Sequence, residues 1–329
     1  MKKYDVIGIG SSLLDITYEI DDDILSDLGF NKSEMTLIDK SRSQEIFNKL
    51  NNLNNKISPG GSSSNTIAGI SLIGGKAAFL GKIGNDSKGE IYEKETNDLG
   101  IITNFKKLDN EITGHAITFI TKDKERTFAT HLGAAIYFTK EDVIEDLIKE
   151  SKILHLEGYS VEVPLLKEAL LHAIDIAKNN DVKISIDLSD PRVIRENLDF
   201  ITELIKNSVD IVFVNEAEAE ALTGKTPNDA IIDISKMCDI AIVKLGKNGS
   251  LIKTHDELFK IPSYNVVVNN TNGAGDSYAA GLLYGLTKDL PLDKSGTLGS
   301  YVASLVVSNP SARLNQEDLE KIKDFFKNL

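Results

Sequence analysis

The chain predicts an α/β fold: a mostly parallel sheet covered on both faces, with a second, smaller sheet beside it. Three observations carry this. From residue 141 onward, helical and strand-like segments alternate, with helices over 141–149, 164–179 and 193–206 and strands over 152–156, 183–188 and 210–215. Short apolar runs at 77–81 and 240–245 read as buried strands. Two β-type segments, 113–121 and 126–131, flank a charged turn at 122–125 and form a hairpin. The hairpin breaks the alternation, so it belongs to the small sheet, paired with the strand at 13–20.

The remaining elements follow in order. Residues 6–10 form a first core strand ending in Gly-rich turn residues, and 13–20 alternates as a half-buried strand does. The acidic stretch 21–23 and the Asn-rich stretch 51–56 read as surface. SPGGSSSN, 58–65, reads as a flexible turn leading into a helical run at 66–73. A helix at 87–99 is stopped by Gly100. The helix at 164–179 has Pro at its first turn, and short β segments reach Val268. Helices at 292–307 and 316–327 close the chain. No repeat or low-complexity linker divides it. We therefore expect one domain over 1–329, with the small sheet formed by about 13–58 and 101–132.

Composition narrows the function. A net charge of −13 argues against a nucleic-acid or acidic-membrane surface. Cys238 is the single cysteine, so neither an intrachain disulfide nor a thiol-rich metal site is available. His115, His131, His155, His172 and His255 lack metal-ligand spacing and are expected to be structural or surface groups. The start MKKYDVIGIG is basic and then apolar, but Asp5 interrupts it. With no run of ~18 apolar residues, the expectation is a cytoplasmic protein.

The stretch with the clearest chemistry is NNTNGAGDSYAAG, 269–281. It follows an apolar β-type run at 265–268 and opens a helix rich in small residues. Gly273, Ala274 and Gly275 have almost no side chain, so backbone N–H groups at a helix start are free to meet a phosphate. Asp276 in that first turn would repel a bound anion. Its presence makes sense if it accepts a proton from a hydroxyl attacking phosphorus. The plain alternative is a tight turn with a helix-favouring Asp.

Gly8 and Gly10 resemble the opening of a dinucleotide fingerprint, but Leu13 stands where the third glycine belongs. Gly224-Lys225-Thr226 lacks the upstream glycine of a P-loop and reads as a helix C-cap. Gly60, Gly61 and Asn65 form a strand-to-helix joint that could present Asn65 to vicinal hydroxyls. Asp15 is a carboxylate in an apolar strand, justified by ligand hydroxyls or by solvent. Asn215 and Glu218 at a strand end could position water around Mg2+, or simply cap a helix. Lys244, Gly246 and Gly249 form a Gly-spaced turn suited to a nucleotide or to a hairpin.

Together these residues resemble the ribokinase family, the pfkB carbohydrate kinases. GGSSSNTIAGISLIGGKAAFLGKIGNDSKG (60–89) and NTNGAGDSYAAG (270–281) carry the likeness, with NEAE (215–218) and KLGKNG (244–249) in the expected order. The resemblance implies a ribokinase-like three-layer sandwich and transfer of the γ-phosphate of ATP to a primary hydroxyl. It implies Asp276 as general base and the backbone of 272–275, Asn272 included, as anion hole. It assigns Asn215 and Glu218 to Mg2+ and phosphate. Asp15, Gly60, Gly61 and Asn65 would hold sugar hydroxyls, and Lys244, Gly246 and Gly249 would border ATP. The small sheet would be a lid, with Arg126 reaching the phosphates.

GIGSSLLDI, MTLID and Asn272 are similar to the adenosine-kinase branch, where Tyr159, Leu14 and Leu37 would wall a base. The family usually has Asp where this chain has Asn270; that Asp often binds a monovalent cation, so the neutral amide weakens the case for K+. In some relatives the outer face of the lid dimerises, and the resemblance extends that option here. The reading is thus a nucleoside kinase acting on adenosine. A fructose or ribose kinase is the nearest rival. A nicotinamide-dependent oxidoreductase and a non-catalytic sensor are rivals of other classes.

Overall fold

Residues 2–123, 125–309 and 311–329 are described by a computed structural model. Its strands are β1 (Tyr4–Ile9), β2 (Leu13–Glu19), β3 (Met35–Leu37), β4 (Asn55–Gly60), β5 (Ala77–Leu80), β6 (Lys82–Gly84), β7 (Ile102–Thr103), β8 (Lys106–Leu108), β9 (Gly114–Ile120), β10 (Arg126–His131), β11 (Ser151–Glu157), β12 (Lys183–Asp187), β13 (Ile211–Asn215), β14 (Ile240–Lys244), β15 (Ser250–Lys253) and β16 (Leu258–Ile261). Its α-helices are α1 (Asp22–Asp27), α2 (Lys40–Lys49), α3 (Ser62–Leu72), α4 (Ser87–Asp98), α5 (Glu145–Lys149), α6 (Pro164–Lys178), α7 (Pro191–Glu196), α8 (Leu198–Ser208), α9 (Glu216–Thr223), α10 (Pro227–Ile234), α11 (Ala274–Thr287), α12 (Leu292–Ser308) and α13 (Gln316–Lys327).

The main sheet has nine strands in the order β16-β15-β14-β13-β12-β11-β1-β5-β7. From β14 to β7 every pair is parallel, and the pairs β14–β15 and β15–β16 are antiparallel. Side chains alternate between its faces. Ile7, Leu154, Ile186 and Val212 bury against α6 to α10, while Val6, Phe79, Ile153 and Phe213 bury against α3 and α11. This is the expected three-layer sandwich. The carboxyl ends of β11, β12, β13 and β14 bring Glu157, Asp187, Asn215 and Lys244 to one edge, where parallel sheets collect ligands.

The small sheet has the order β3-β10-β9-β2-β4. The expected hairpin is there, and β9 pairs with β2 in parallel; Lys124 in its turn lies outside the described residues. Along β2, Leu13, Asp15 and Thr17 are partly exposed, whereas Leu14, Ile16 and Tyr18 are buried. That second face packs under α1 and α2 through Leu25, Leu28, Ile46 and Leu50. The outer side of the lid therefore presents helices, not open sheet.

Several expectations need correction. Of 101–132 only β9 and β10 join the lid; β7 extends the main sheet, and β8 pairs with β6. The Asn-rich stretch hides β4, an edge strand whose polar composition suits an edge. Residues 58–60 complete that strand, and α3 starts at Ser62, immediately after Gly61 turns the chain at φ 91°. The helix expected at 193–206 is two helices, because Asn197 leaves helical geometry and its Nδ2 donates to Val193 O at 3.0 Å. The helix expected at 141–149 narrows to α5, preceded by a short turn at Lys140–Asp142. The run 265–268 is not a strand. The chain has left the sheet edge after β16, so Val267 and Val268 are 80% and 61% exposed.

Candidate active site

The start of α11 lacks a side-chain cap because its N-cap is Gly273, at φ 73°. Only glycine fits: a Cβ there would lie 2.1 Å from Ala312 O. Asn272 donates its N–H to Asn270 Oδ1 at 2.8 Å, and Ala274 donates to Thr271 O at 3.3 Å. Among the described residues, nothing accepts from the amides of Gly273, Gly275 or Asp276. The amides of Gly273, Gly275 and Asp276 are therefore unclaimed, whereas those of Asn272 and Ala274 already close the turn.

Asp276 sits at the third position of α11 and is met by α3. Ser62 Oγ donates to its Oδ1 at 2.8 Å and Asn65 Nδ2 to its Oδ2 at 2.9 Å. Burial pushes its carboxyl up to about 6; the Asn65 hydrogen bond opposes this, and the Asp187 charge adds to it. Arg313 closes the arrangement from the segment between α12 and α13. Its Nε donates to Asn65 Oδ1 and its Nη2 to Ser64 Oγ, both at 2.9 Å. Tyr92 donates to the same Ser64 Oγ at 2.7 Å.

Asp15 faces this cluster across the cleft from β2. Burial pushes it up to about 6, with Arg313 opposing and Asp276 adding. Among the described residues no group hydrogen-bonds its carboxylate, which leaves it acceptor capacity for hydroxyls. Gly60 is required beside it, since a Cβ there would lie 2.6 Å from Asp15 Oδ2. Glu157 is also buried here, but it takes the N–H groups of Ser11 and Ser63 at 2.8 and 3.0 Å and so ties β1 to α3.

On the other side of α11, Lys244 Nζ lies 2.5 Å from Asp187 Oδ2 and 3.1 Å from where a Gly275 Cβ would stand. Burial pulls the ammonium down, but Asp187 and Glu218 outweigh it, and the net shift is upward. Glu218 and Asn215 form a reciprocal capping box at the start of α9. Glu218 accepts from Asn215 N at 2.8 Å and from Asn215 Nδ2 at 2.6 Å, and donates its own N–H to Asn215 Oδ1 at 2.9 Å. Burial, with Asp187 adding to it, pushes Glu218 up to about 7.

Gly246 and Gly249 bracket the short turn after β14, with φ 54° and 87°. Arg126 begins β10, and its guanidinium donates to Asn270 Oδ1, joining the lid to the loop before α11. Tyr159 stands in the turn Gly158–Val161 after β11, its hydroxyl 3.5 Å from Ser189 O. Tyr159 and Leu37 are 36% and 56% exposed. Leu37 shares the cleft side of the lid with Thr130 and Asp15. Leu14 does not wall a base: it is buried on the opposite face of β2. Of the histidines, His115 and His155 are held down near about 4 by burial, as neutral packing groups are.

Among the described residues no cluster of three or more His, Cys, Asp or Glu side chains is arranged to hold a metal. Glu218, engaged by Asn215 through both oxygens, fits a divalent ion best through water. Sequence reasoning missed Ser62, Asp187, Tyr92 and Arg313. Asp187 ends a parallel strand, the same signal that exposed Asn215, so it was findable. Arg313 follows α12 in an irregular stretch and carries no pattern.

Residues 33–319 match the family described as pfkB family carbohydrate kinase. The chain belongs to that family. A pfkB kinase of this kind is a phosphotransferase with an alcohol group as acceptor. Among its relatives is the 5-dehydro-2-deoxygluconokinase of Listeria monocytogenes serovar 1/2a, 30% identical over 276 residues, covering 80% of this chain and 85% of that protein. The protein of that name from Halalkalibacterium halodurans is 32% identical over 278 residues, covering 80% and 84%. Among solved structures, an adenosine kinase from Sinorhizobium meliloti is 32% identical with a TM-score of 0.91, covering 98% of this chain and 99% of that one. A probable sugar kinase from Rhizobium etli is 31% identical with a TM-score of 0.91, covering 99% of both.

Proposed function

We propose that this pfkB kinase transfers the γ-phosphoryl group of ATP to the 5′-hydroxyl of a nucleoside, adenosine above all. The observation that carries the transfer step is the pairing of three unclaimed amides at 273, 275 and 276 with a carboxylate, Asp276, in one helical turn. The acceptor hydroxyl attacks the γ-phosphorus and its proton passes to Asp276; the bond from γ-phosphorus to the bridging oxygen breaks and ADP leaves. The three amides and the Lys244 ammonium face the charge on the migrating group. Asp187 holds Lys244 in place. Mg2+, positioned through water by Glu218 and Asn215, would neutralise phosphate charge. Gly246 and Gly249 border the nucleotide, and Arg126 on the lid lies near the phosphates.

Asp15 and Asn65 would accept and donate to the ribose hydroxyls. Tyr159 and Leu37, both large and exposed beside the cleft, are apolar walls for a base. The full-length likeness to an adenosine kinase at 32% identity supports the nucleoside. The charge of the acceptor side supports a neutral acceptor as well: Asp15 and Asp276 both act on the Arg313 guanidinium, so its charge is already offset by two carboxylates.

A second reading rests on Arg313 itself and on the relatives named 5-dehydro-2-deoxygluconokinase. A gluconate derivative carries a carboxylate, and Arg313 is the cation that would meet it. An ATP-consumption panel with adenosine, other nucleosides, ribose, fructose and 5-dehydro-2-deoxygluconate separates them. A kcat/KM at least tenfold higher for adenosine upholds the nucleoside; the same preference for a free sugar or sugar acid overturns it.

A further inference from the structure

We infer that Arg313 is a positioning residue: by donating to Asn65 Oδ1 it fixes which way the Asn65 amide points, and thereby keeps the Asn65 NH2 on Asp276. This rests on the reading of Asp276 as the base, and adds to it a residue from outside the catalytic elements.

The argument is one of donors and acceptors. A guanidinium can only donate, and an ionised carboxylate can only accept. Asn65 stands between one of each: Oδ1 is 2.9 Å from Arg313 Nε, and Nδ2 is 2.9 Å from Asp276 Oδ2. A flipped amide would set NH2 against the guanidinium and the carbonyl oxygen against the carboxylate, two repulsive contacts in place of two charge-assisted hydrogen bonds. The orientation is therefore specified from both ends, and Arg313 supplies one of the two constraints. The guanidinium is itself fixed by its second donation, to Ser64 Oγ, which also accepts from Tyr92. The neighbouring Ala312 O packs where a side chain on Gly273 would be. One short segment after α12 thus braces both the amide that serves Asp276 and the turn that frees the anion-binding amides.

Without Arg313 the Asn65 amide keeps only its Asp276 contact to orient it, and the turned state becomes easier to reach. In the turned state the carboxylate loses a donor and holds its proton more tightly, so less of it is available as a base at a given pH. Arg313→Met is expected to lower kcat about threefold to tenfold on the acid limb, the loss that a base holding its proton roughly half a unit to one unit more tightly suffers, while KM for ATP changes by less than about threefold. The acid limb of the kcat/KM profile moves to higher pH by roughly half a unit to one unit. In an Asn65→Ala background, where there is no amide to orient, adding Arg313→Met has little further effect on kcat. Arg313→Lys, which keeps the charge and loses the fork, falls between wild type and Arg313→Met.

An unmoved acid limb in a folded Arg313→Met protein, or full additivity with Asn65→Ala, overturns the inference. Should Arg313→Met not fold, the same limb and the same cycle are read on Arg313→Lys. Asp276→Asn distinguishes the two levels. If it retains wild-type turnover, the base assignment fails. If it is inactive while Arg313 variants keep the wild-type limb, only the positioning role fails.

Discussion

The starts of α9 and α11 carry an acid at the same helical position and use it in opposite ways. In α9 the N-cap is Asn215 and the acid three residues on is Glu218; in α11 these are Gly273 and Asp276. Glu218 folds back onto the amide of its own N-cap, while Asn215 takes the Glu218 amide, so that helix start is closed by its own side chains. Gly273 has no side chain to do this. Asp276 is instead met by Ser62 and Asn65 from α3, and the amides around it stay available. An N-terminal acid satisfied within its own helix is a cap. One satisfied from another element, beside unclaimed amides, is a candidate for chemistry.

Five substitutions and a pH series break or sharpen that contrast. The largest effect belongs to Asp276→Asn, for which kcat falls on the order of 10²–10⁴ while the ATP dissociation constant, measured by calorimetry, changes little. The same substitution raises the melting temperature at pH 7.5. Its carboxyl is raised in the fold from the usual 3.8 to about 6, so the folded state holds its proton more tightly. Stability from this group is greatest at low pH and is lost as pH rises through that window, which the amide avoids.

Gly273→Ala forces a Cβ onto Ala312 O and a left-handed backbone on alanine, together about 2–4 kcal/mol against folding. Urea unfolding measures it, and kcat falls more than tenfold in what remains folded. Asn215→Ala, the corresponding position of α9, removes a cap worth about 1 kcal/mol. A cost there equal to that of Gly273→Ala would erase the contrast.

Activity should fall about tenfold per pH unit below about 6, because a base works only when deprotonated and Asp276 titrates there. Asp15 is raised to about 6 as well. The limb is therefore measured in parallel on Asp15→Asn, where kcat must keep its acid limb. Glu218→Gln has the smallest catalytic effect, up to about tenfold in kcat, read as a higher Mg2+ requirement in a titration at fixed ATP.

The sequence made the β/α alternation and the GAGD turn legible because both are local. Period, glycine content and the position of Asp276 need no tertiary information. Gly60, Gly61 and Asn65 were placed correctly at a joint, yet the reason for Gly60, its contact with Asp15, lies across two strands of the lid. β4 escaped notice because an edge strand can be polar. The run 265–268 misled in the other direction: valines have β propensity, but after β16 there is no strand for them to pair with. Ser62 reaches Asp276 directly and Arg313 reaches it through Asn65, from elements far away in the chain that only the fold brings together.

The most direct test of the central claim is an amide 15N–1H spectrum recorded as ADP, Mg2+, aluminium fluoride and adenosine assemble a mimic of the transferring phosphoryl group. The account predicts large shifts at Gly273, Gly275 and Asp276, larger than at the Glu218 amide, which stays bonded to Asn215. Saturating binding of the mimic with those three resonances unchanged would contradict it.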